Sequence, residues 1–432
     1  MNNHDTSPSR RNLLKGIAGA SALPFVGAFA ALHAREAAAA NGVTALVDSP
    51  YGPIAPVADL STGLPLLQLP PGFTYKSYGW RGDTMTDGRP CPAGHDGMGV
   101  IATRKVGRST EQVLVRNHEI TSSAAGNFIN AYSFYDGGTI SASTTNRSCG
   151  GTTNLVFRDG DWVSMTPSLG GTQQNCAGGV TPWGTWLTCE EIGSDAITAG
   201  GKKHGYVFEV TADPRQTTGQ PIVNMGRFAH EAAAVDPTDC TVYLTEDSSG
   251  KSGFYRYVPD IKTGAAGSLA RGGVLEMAKV KGVNNVNLAV ASVDNTYELE
   301  WVSIPNPDAN RGNSVGLNGQ AISNAAGPFN QGWAKGALRM NRGEGIFYTK
   351  GKLYVMDTSG GPVNRGAIWE LDLASQTLKC IYSSPSPLIG NMGDNLAVSP
   401  RDGLLICEDS SSPITDSFGF GQRLMGLTGA GD

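Results

Sequence analysis

Five short apolar runs in this chain of 432 residues finish alike. VLVRNHE (113–119), TWLTCEE (185–191), VYLTEDS (242–248), KLYVMDTS (352–359) and LLICEDS (404–410) each have the length and Val, Leu, Ile and Tyr content of a strand, and each ends in acidic or amide side chains. Four of the five adjoin a second run of the same kind: TTNLVF (152–157), GYVFEV (205–210), GFYRYV (253–258) and GAIWEL (366–371). The strand ends fall near residues 117, 189, 246, 357 and 408, in steps of about 72, 57, 111 and 51, and the long step equals roughly two ordinary ones. YELEWVSI (297–304) lies inside that long interval and counts as a further unit. Small antiparallel sheets repeating at this pitch suit the blades of a propeller. The expectation is an all-β, six-bladed β-propeller, with a pair of β-sandwiches as the alternative.

Composition supports this reading, since 58 glycines, 24 prolines and only 16% charged residues favour short elements joined by turns. A formal net charge of -5 gives no electrostatic reason to expect nucleic acid as an obligate partner. Residues 1–40 are a different text. Ser9, Arg10, Arg11, Asn12, Leu13, Leu14 and Lys15 precede GIAGASALPFVGAFAALHA (16–34) and an alanine run ending at Ala40. This is the order of a twin-arginine export signal, with cleavage expected within Ala34 to Ala40. Pro24 and the glycines make the stretch a poor permanent membrane anchor. The expected organisation is a signal at 1–40 and a propeller at 41–432, reaching the periplasm or exterior through the twin-arginine machinery.

If the repeated strands are equivalent within their blades, their acidic ends lie at equal heights and converge near the axis. Such convergence is costly without cations. Hard ions such as calcium suit oxygen-rich sites, whereas a thiolate brings in a softer or redox-active metal. Any single strand-end acid is equally suited to bonding local backbone in a turn, so the argument rests on the joint pattern. The seven cysteines, at 91, 149, 176, 189, 240, 380 and 407, are odd in number and lack the spacing of a disulfide framework. No CxxC pair or HExxH motif supports a zinc site. Cys176 stands out because NCAGGVTPWGTWLTCEE (175–191) sets it among glycines and ahead of Glu190 and Glu191. From these residues alone it is half a disulfide, a metal ligand, a nucleophile or packing. Cys189 alternates with Glu190 and reads as packing, His95 and Asp96 as ordering a loop, and His230 as a core or supporting histidine.

The stretch from LPPGFTYKSYGW (69–80) to GDNLAVSPRDGLLICEDS (393–410) resembles the PhoX family of exported bacterial alkaline phosphatases. MTDGRPCPAGHDGMG (85–99), RNHE (116–119), GGTTNLVF (150–157), NCAGGVTPWGTWLTCEE, GRFAHEAA (226–233) and YLTEDS (243–248) carry the resemblance. It implies a six-bladed propeller whose site holds Fe3+ and several Ca2+ ions and hydrolyses phosphate monoesters of small organic molecules. The family's iron-ligating cysteine falls on Cys176, and its carboxylate ligands on Glu191, Glu231, Glu344, Asp394 and Asp409, with Glu190 and Glu408 added as the other acids of their pairs. Arg342 matches the phosphate-contacting arginine and, with Asn117, is the catalytic group the resemblance implies; Glu119 falls in the same matching block as Asn117. Family members continue past the stretch resembling GQRLMGLTGAGD (421–432), which implies an incomplete last blade here. Two other functions fit such a scaffold: a phosphodiesterase or lactonase, and a non-enzymatic, calcium-stabilised binding propeller.

Overall fold

The structure, a computed structural model, describes residues 51–123, 131–290, 292–399, 403–416 and 419–427. The export signal expected at 1–40 lies outside them. Five sheets, antiparallel apart from the short parallel strand Ser133–Phe134 at the edge of the first, follow one another along the chain, and each starts with a strand next to the centre. These innermost strands are His95–Val106, Asn175–Val180, His230–Val235, Gly343–Thr349 and Gly393–Val398. Each pairs with the strand after it: Ser109–His118, Thr185–Glu190, Val242–Glu246, Lys352–Asp357 and Leu404–Glu408. Those five second strands are the apolar runs whose acidic ends recur in the sequence.

Neighbouring sheets pack face to face. Asn175–Val180 lies against both His95–Val106 and His230–Val235, and Gly343–Thr349 lies against His230–Val235 and Gly393–Val398. The apolar cores sit between sheets, as a propeller requires. Val115, Leu169, Trp186 and Phe208 fill the space between the first and second sheets. Leu187, Val207, Leu244 and Tyr257 fill the next, closed on its outer side by Trp333 of the short helix Gly327–Trp333. Tyr243, Phe254, Leu353 and Trp369 join the third sheet to the fourth, and Met356, Ile368, Leu404 and Ile406 join the fourth to the fifth. The alternation that marks these strands in the sequence is the alternation between two such cores.

The all-β, propeller-like architecture is as expected, but YELEWVSI does not form a unit of its own. Strand Thr296–Ser303 pairs through residues 299–303 with Gly273–Val280 and through residues 296–298 with Thr377–Ser383. It is the shared outer edge of the third and fourth sheets and makes them one nine-stranded sheet. The long interval before Asp357 is filled by this strand, the hairpin Gly312–Val315 with Ala321–Ala325, and the helix. Among the described residues the radial sheets number five, the last being three-stranded with Leu424–Leu427 at its edge. Cys91, Cys149, Cys176, Cys189, Cys240 and Cys407 form no disulfide. No described helix is long and apolar enough to cross a membrane.

The Gly-Gly pair after Cys176 explains how the second sheet wedges between its neighbours. A Cβ at Gly178 would overlap the carbonyl oxygen of Leu187, and one at Gly179 that of Ala233 in the third sheet. Gly179→Ala is therefore expected to lower the unfolding free energy by about 1–3 kcal/mol. Thermal and denaturant melts check this, and an unchanged midpoint would contradict so close an approach.

Candidate metal centre

Each innermost strand opens with the same irregularity. Its register against the second strand slips by one residue at His95/Met98, Asn175/Gly178, His230/Ala233, Gly343/Ile346 and Gly393/Leu396. Two residues then face one across the ladder, a β-bulge, which re-aims a side chain at that point. The first bulged residue is Asp96, Cys176, Glu231, Glu344 and Asp394 in turn. All five line one central cavity of about 1360 Å³. The residues directly after four second strands, Glu119, Glu191, Asp247 and Asp409, line it too.

The donor atoms are close enough to share ions. Asp96, Glu119 and Cys176 form one group whose ligand atoms all lie within 4.8 Å of one another; Cys176, Glu191 and Glu231 form a second, and Glu231, Glu344 and Asp394 a third. Cys176 Sγ lies 3.3 Å from Glu231 Oε1 and 3.4 Å from Asp96 Oδ2. Burial, then the neighbouring carboxylates, push the Cys176 thiol and the Glu231 and Glu344 carboxyls well above their ordinary range. The same two causes bring Asp96 up to about 7, Glu191 to about 8 and Asp394 to about 6. So many acids in one buried ring cannot all ionise beside each other without positive charge. One oxygen-only group and two groups containing a sulfur fit a hard cation and a thiolate-accepting metal respectively.

Arg342 enters the ring from the residue two before Glu344. Its Nε and Nη2 donate to both oxygens of Asp247 at 2.8–3.2 Å, and Nη2 also lies 2.8 Å from Glu344 Oε1. It is the one arginine or lysine among the described residues lining the cavity. The Asp247 hydrogen bonds hold it firmly protonated.

Three residues assigned to the site from the sequence do other work. Asn117 is fully buried; its Nδ2 donates to the carbonyls of Cys176 and Ala177, and its Oδ1 accepts from Trp186 Nε1 and Thr188 Oγ1. All its hydrogen-bonding capacity goes into holding the Cys176 bulge, so it is not a catalytic group. Glu190 accepts from the backbone N–H groups of Gln173, Gly205 and Tyr206 and pairs with His204 Nδ1 at 2.6 Å. Glu408 accepts from Asn391 N–H and takes a two-pronged grip from Arg423. Of Glu190–Glu191 only the second acid lines the cavity, because successive side chains leave a strand on opposite sides; Glu408 lies at the cavity edge beside Asp409, but both its oxygens are taken by Arg423 and Asn391. His230 is a core histidine stacked on Phe228, with Nε2 3.0 Å from Gly226 O; burial drives it down to about 3.

Asp96 reads from the sequence as ordering a loop, and Asp247 has no assigned role there, yet both line the cavity. Cys176, Glu231, Glu344 and Asp394 each stand about 15 residues before the residue that follows their second strand, a spacing the sequence does display. The hairpin of the first sheet is longer, about 23 residues from Asp96 to Glu119, so Asp96 falls outside that spacing.

Radial sheets thus deliver one metal-type ligand apiece to a common cavity, with a single guanidinium beside them, in a propeller-like scaffold that could hold metal ions. The family model described as alkaline phosphatase PhoX matches residues 49–165 and 136–432. The chain belongs to that family, whose members are metal-dependent phosphoric monoester hydrolases. Among solved structures, Pseudomonas fluorescens PhoX in complex with vanadate, a transition state analogue, is similar at 20% identity, with a TM-score of 0.53 and 78% of each chain covered. The PQQ-bound aldose sugar dehydrogenase of Streptomyces coelicolor is similar over 77% of this chain and 98% of its own, at 12% identity and a TM-score of 0.35. No curated protein matches the chain.

The buried group beside the ring predicts a pH dependence. Burial opposes charge on His204, but Glu190 and Asp136 outweigh it and push the imidazole up to about 9. A folded value above the unfolded 6.5 means the stabilisation is complete below about pH 6.5 and lost as pH rises through 9, roughly 3 kcal/mol in all. Wild type should lose denaturant resistance between pH 6.5 and 9.5 more steeply than His204→Gln. Parallel curves would count against this.

Proposed function

We propose that the central cavity hydrolyses phosphate monoesters of small organic molecules, with calcium held among Glu191, Glu231, Glu344, Asp394 and Asp409 and iron beside Cys176. The observation that carries the proposal is the placement of one ligand-type side chain at the same bulge of every radial sheet, with a single thiol among them. Family membership supports the reaction class, and the mixed oxygen and sulfur donor set supports two kinds of cation. When bound, such cations would supply Lewis-acid stabilisation of phosphoryl charge and a nucleophile from water near neutral pH.

The protein's own residues do the positioning. Asp247 takes the Nε–Nη2 edge of Arg342 and fixes the plane of the guanidinium, leaving Nη1 to donate to a phosphoryl oxygen. Phosphoryl transfer asks mainly for in-line orientation and for charge stabilisation on the equatorial oxygens, which a pre-aligned guanidinium provides. Asn117 keeps the Cys176 carbonyl, and with it the thiol, at a fixed place in the ring. The sheet-to-sheet cores around the cavity make these placements rigid. The residue order at 9–15 supports export of the folded chain by the twin-arginine route, so that activity is exerted outside the cytoplasmic membrane.

A chromogenic aryl phosphate tests the reaction. Phosphate release should vanish with a chelator and return with calcium and iron together. Cys176→Ala should lose iron in elemental analysis, and Arg342→Ala should lose at least about a hundredfold in kcat/KM, a loss of about 2.7 kcal/mol in transition-state stabilisation. Full turnover in either variant sinks the proposal, and faster cleavage of diesters or lactones than of monoesters would favour the other hydrolase readings. Lysines in place of Arg10 and Arg11 should leave the precursor in the cytoplasmic fraction.

A further inference from the structure

The turns that lead into the bulges share a backbone device. Two residues before each bulged ligand stand Gly94, Gln174, Ala229, Arg342 and Met392. In every sheet the carbonyl of that residue accepts the N–H of the residue after the second strand, at 2.6–3.0 Å. In four sheets this lead-in residue is left-handed, with φ of +59° at Gly94, +49° at Gln174, +67° at Arg342 and +59° at Met392. Three of those are not glycine, and such residues seldom adopt this conformation unless held there.

The same four sheets carry a side-chain clamp. The last residue of the second strand reaches the backbone three positions before the ligand. His118 Nδ1 donates to Ala93 O at 2.8 Å. Glu190 accepts from Gln173 N–H at 2.8 Å, Asp357 from Asn341 N–H at 3.0 Å, and Glu408 from Asn391 N–H at 2.7 Å. In the third sheet the lead-in Ala229 is not left-handed, and Glu246 bonds Gly253 N–H and Tyr255 Oη instead. Clamp and left-handed turn occur together and are missing together.

We propose that His118, Glu190, Asp357 and Glu408 are positioning residues of the metal site, each locking the left-handed turn that aims its sheet's ligand into the cavity. The inference rests on the reading of that cavity as a cation site. Asp357 is the most telling case. It is fully buried, its Oδ2 has no hydrogen-bond partner among the described residues, and its Oδ1 holds the N–H next to Arg342. A buried carboxylate with one hydrogen bond and no cation is a poor stabiliser, so its presence is accounted for by what it holds. It governs two groups at once, since Arg342 is itself the left-handed residue and Glu344 is the ligand two positions on.

Four single variants of the full chain test the proposal. Asp357→Asn keeps an acceptor for Asn341, and Asp357→Leu removes it without leaving a charge. Met392→Asn tolerates a left-handed backbone, and Met392→Val resists it. Calcium binding to the chelator-treated chain is measured by calorimetry, with thermal midpoints alongside and KM and kcat for an aryl phosphate after reloading. Both Asn variants should bind calcium like wild type. Asp357→Leu and Met392→Val should bind it about tenfold more weakly, with a raised KM in Asp357→Leu. Equal affinity in all four, or a loss in the Asn variants that follows a fall in thermal midpoint, overturns the proposal. If Asp357→Leu does not fold, the Met392 pair decides alone. A wild-type chain that releases no phosphate sinks the phosphatase reading and leaves the calcium comparison to settle this one.

Discussion

Repulsion among buried acids is the constraint around which this molecule is built. Glu231 and Glu344 are almost wholly inaccessible, Cys176 lies between Asp96 and Glu231, and Asp394 and Glu191 complete the enclosure. A flexible chain would relieve such crowding by turning side chains outward. The five sheets prevent this, because Cys176, Glu231 and Glu344 sit at bulges of strands packed on both sides by neighbouring sheets, and Asp96 and Asp394 at bulges of strands packed against one neighbour. Scaffold stability, supplied by Trp369, Tyr257, Leu187 and the other residues between sheets, is what makes an electrostatically unfavourable ring possible. A ring of that kind has affinity for cations built in, since bound positive charge removes the repulsion.

The acids divide into two populations with opposite jobs. Those on the cavity side crowd one another. Those one residue earlier, Glu190, Glu246, Asp357 and Glu408, are buried and bond backbone amides, with His204, Tyr255 or Arg423 added in three of the four. The second population keeps the first in place. Arg342 links the two, because its side chain joins Asp247 and Glu344 at the cavity while its own backbone is tied by Asp357 through the adjoining Asn341.

Much of this was legible in the residues. Strand-like runs with acidic ends predicted an all-β ring, and the isolated thiol of NCAGG marked Cys176. The failures have physical causes. YELEWVSI has the composition of a strand but no acidic end, and it became an outer strand joining two sheets rather than a blade. Adjacent acids such as Glu190 and Glu191 are equivalent as letters, and only the direction in which each leaves the strand separates a clamp from a ligand. Asp96 escaped because the long first hairpin broke the spacing shared by the other four sheets.

The sequence by itself determined the kind of elements, their order and the residue types available for chemistry, because hydrophobic alternation and turn composition are local properties. Tertiary structure decided which side chains meet. Asp96 and Cys176 are eighty positions apart, and Arg342 and Asp247 are ninety-five apart, yet each pair touches. No local pattern encodes those distances. They follow from the packing of five twisted sheets about one cavity, where a one-residue bulge in each strand chooses the atom that faces inward.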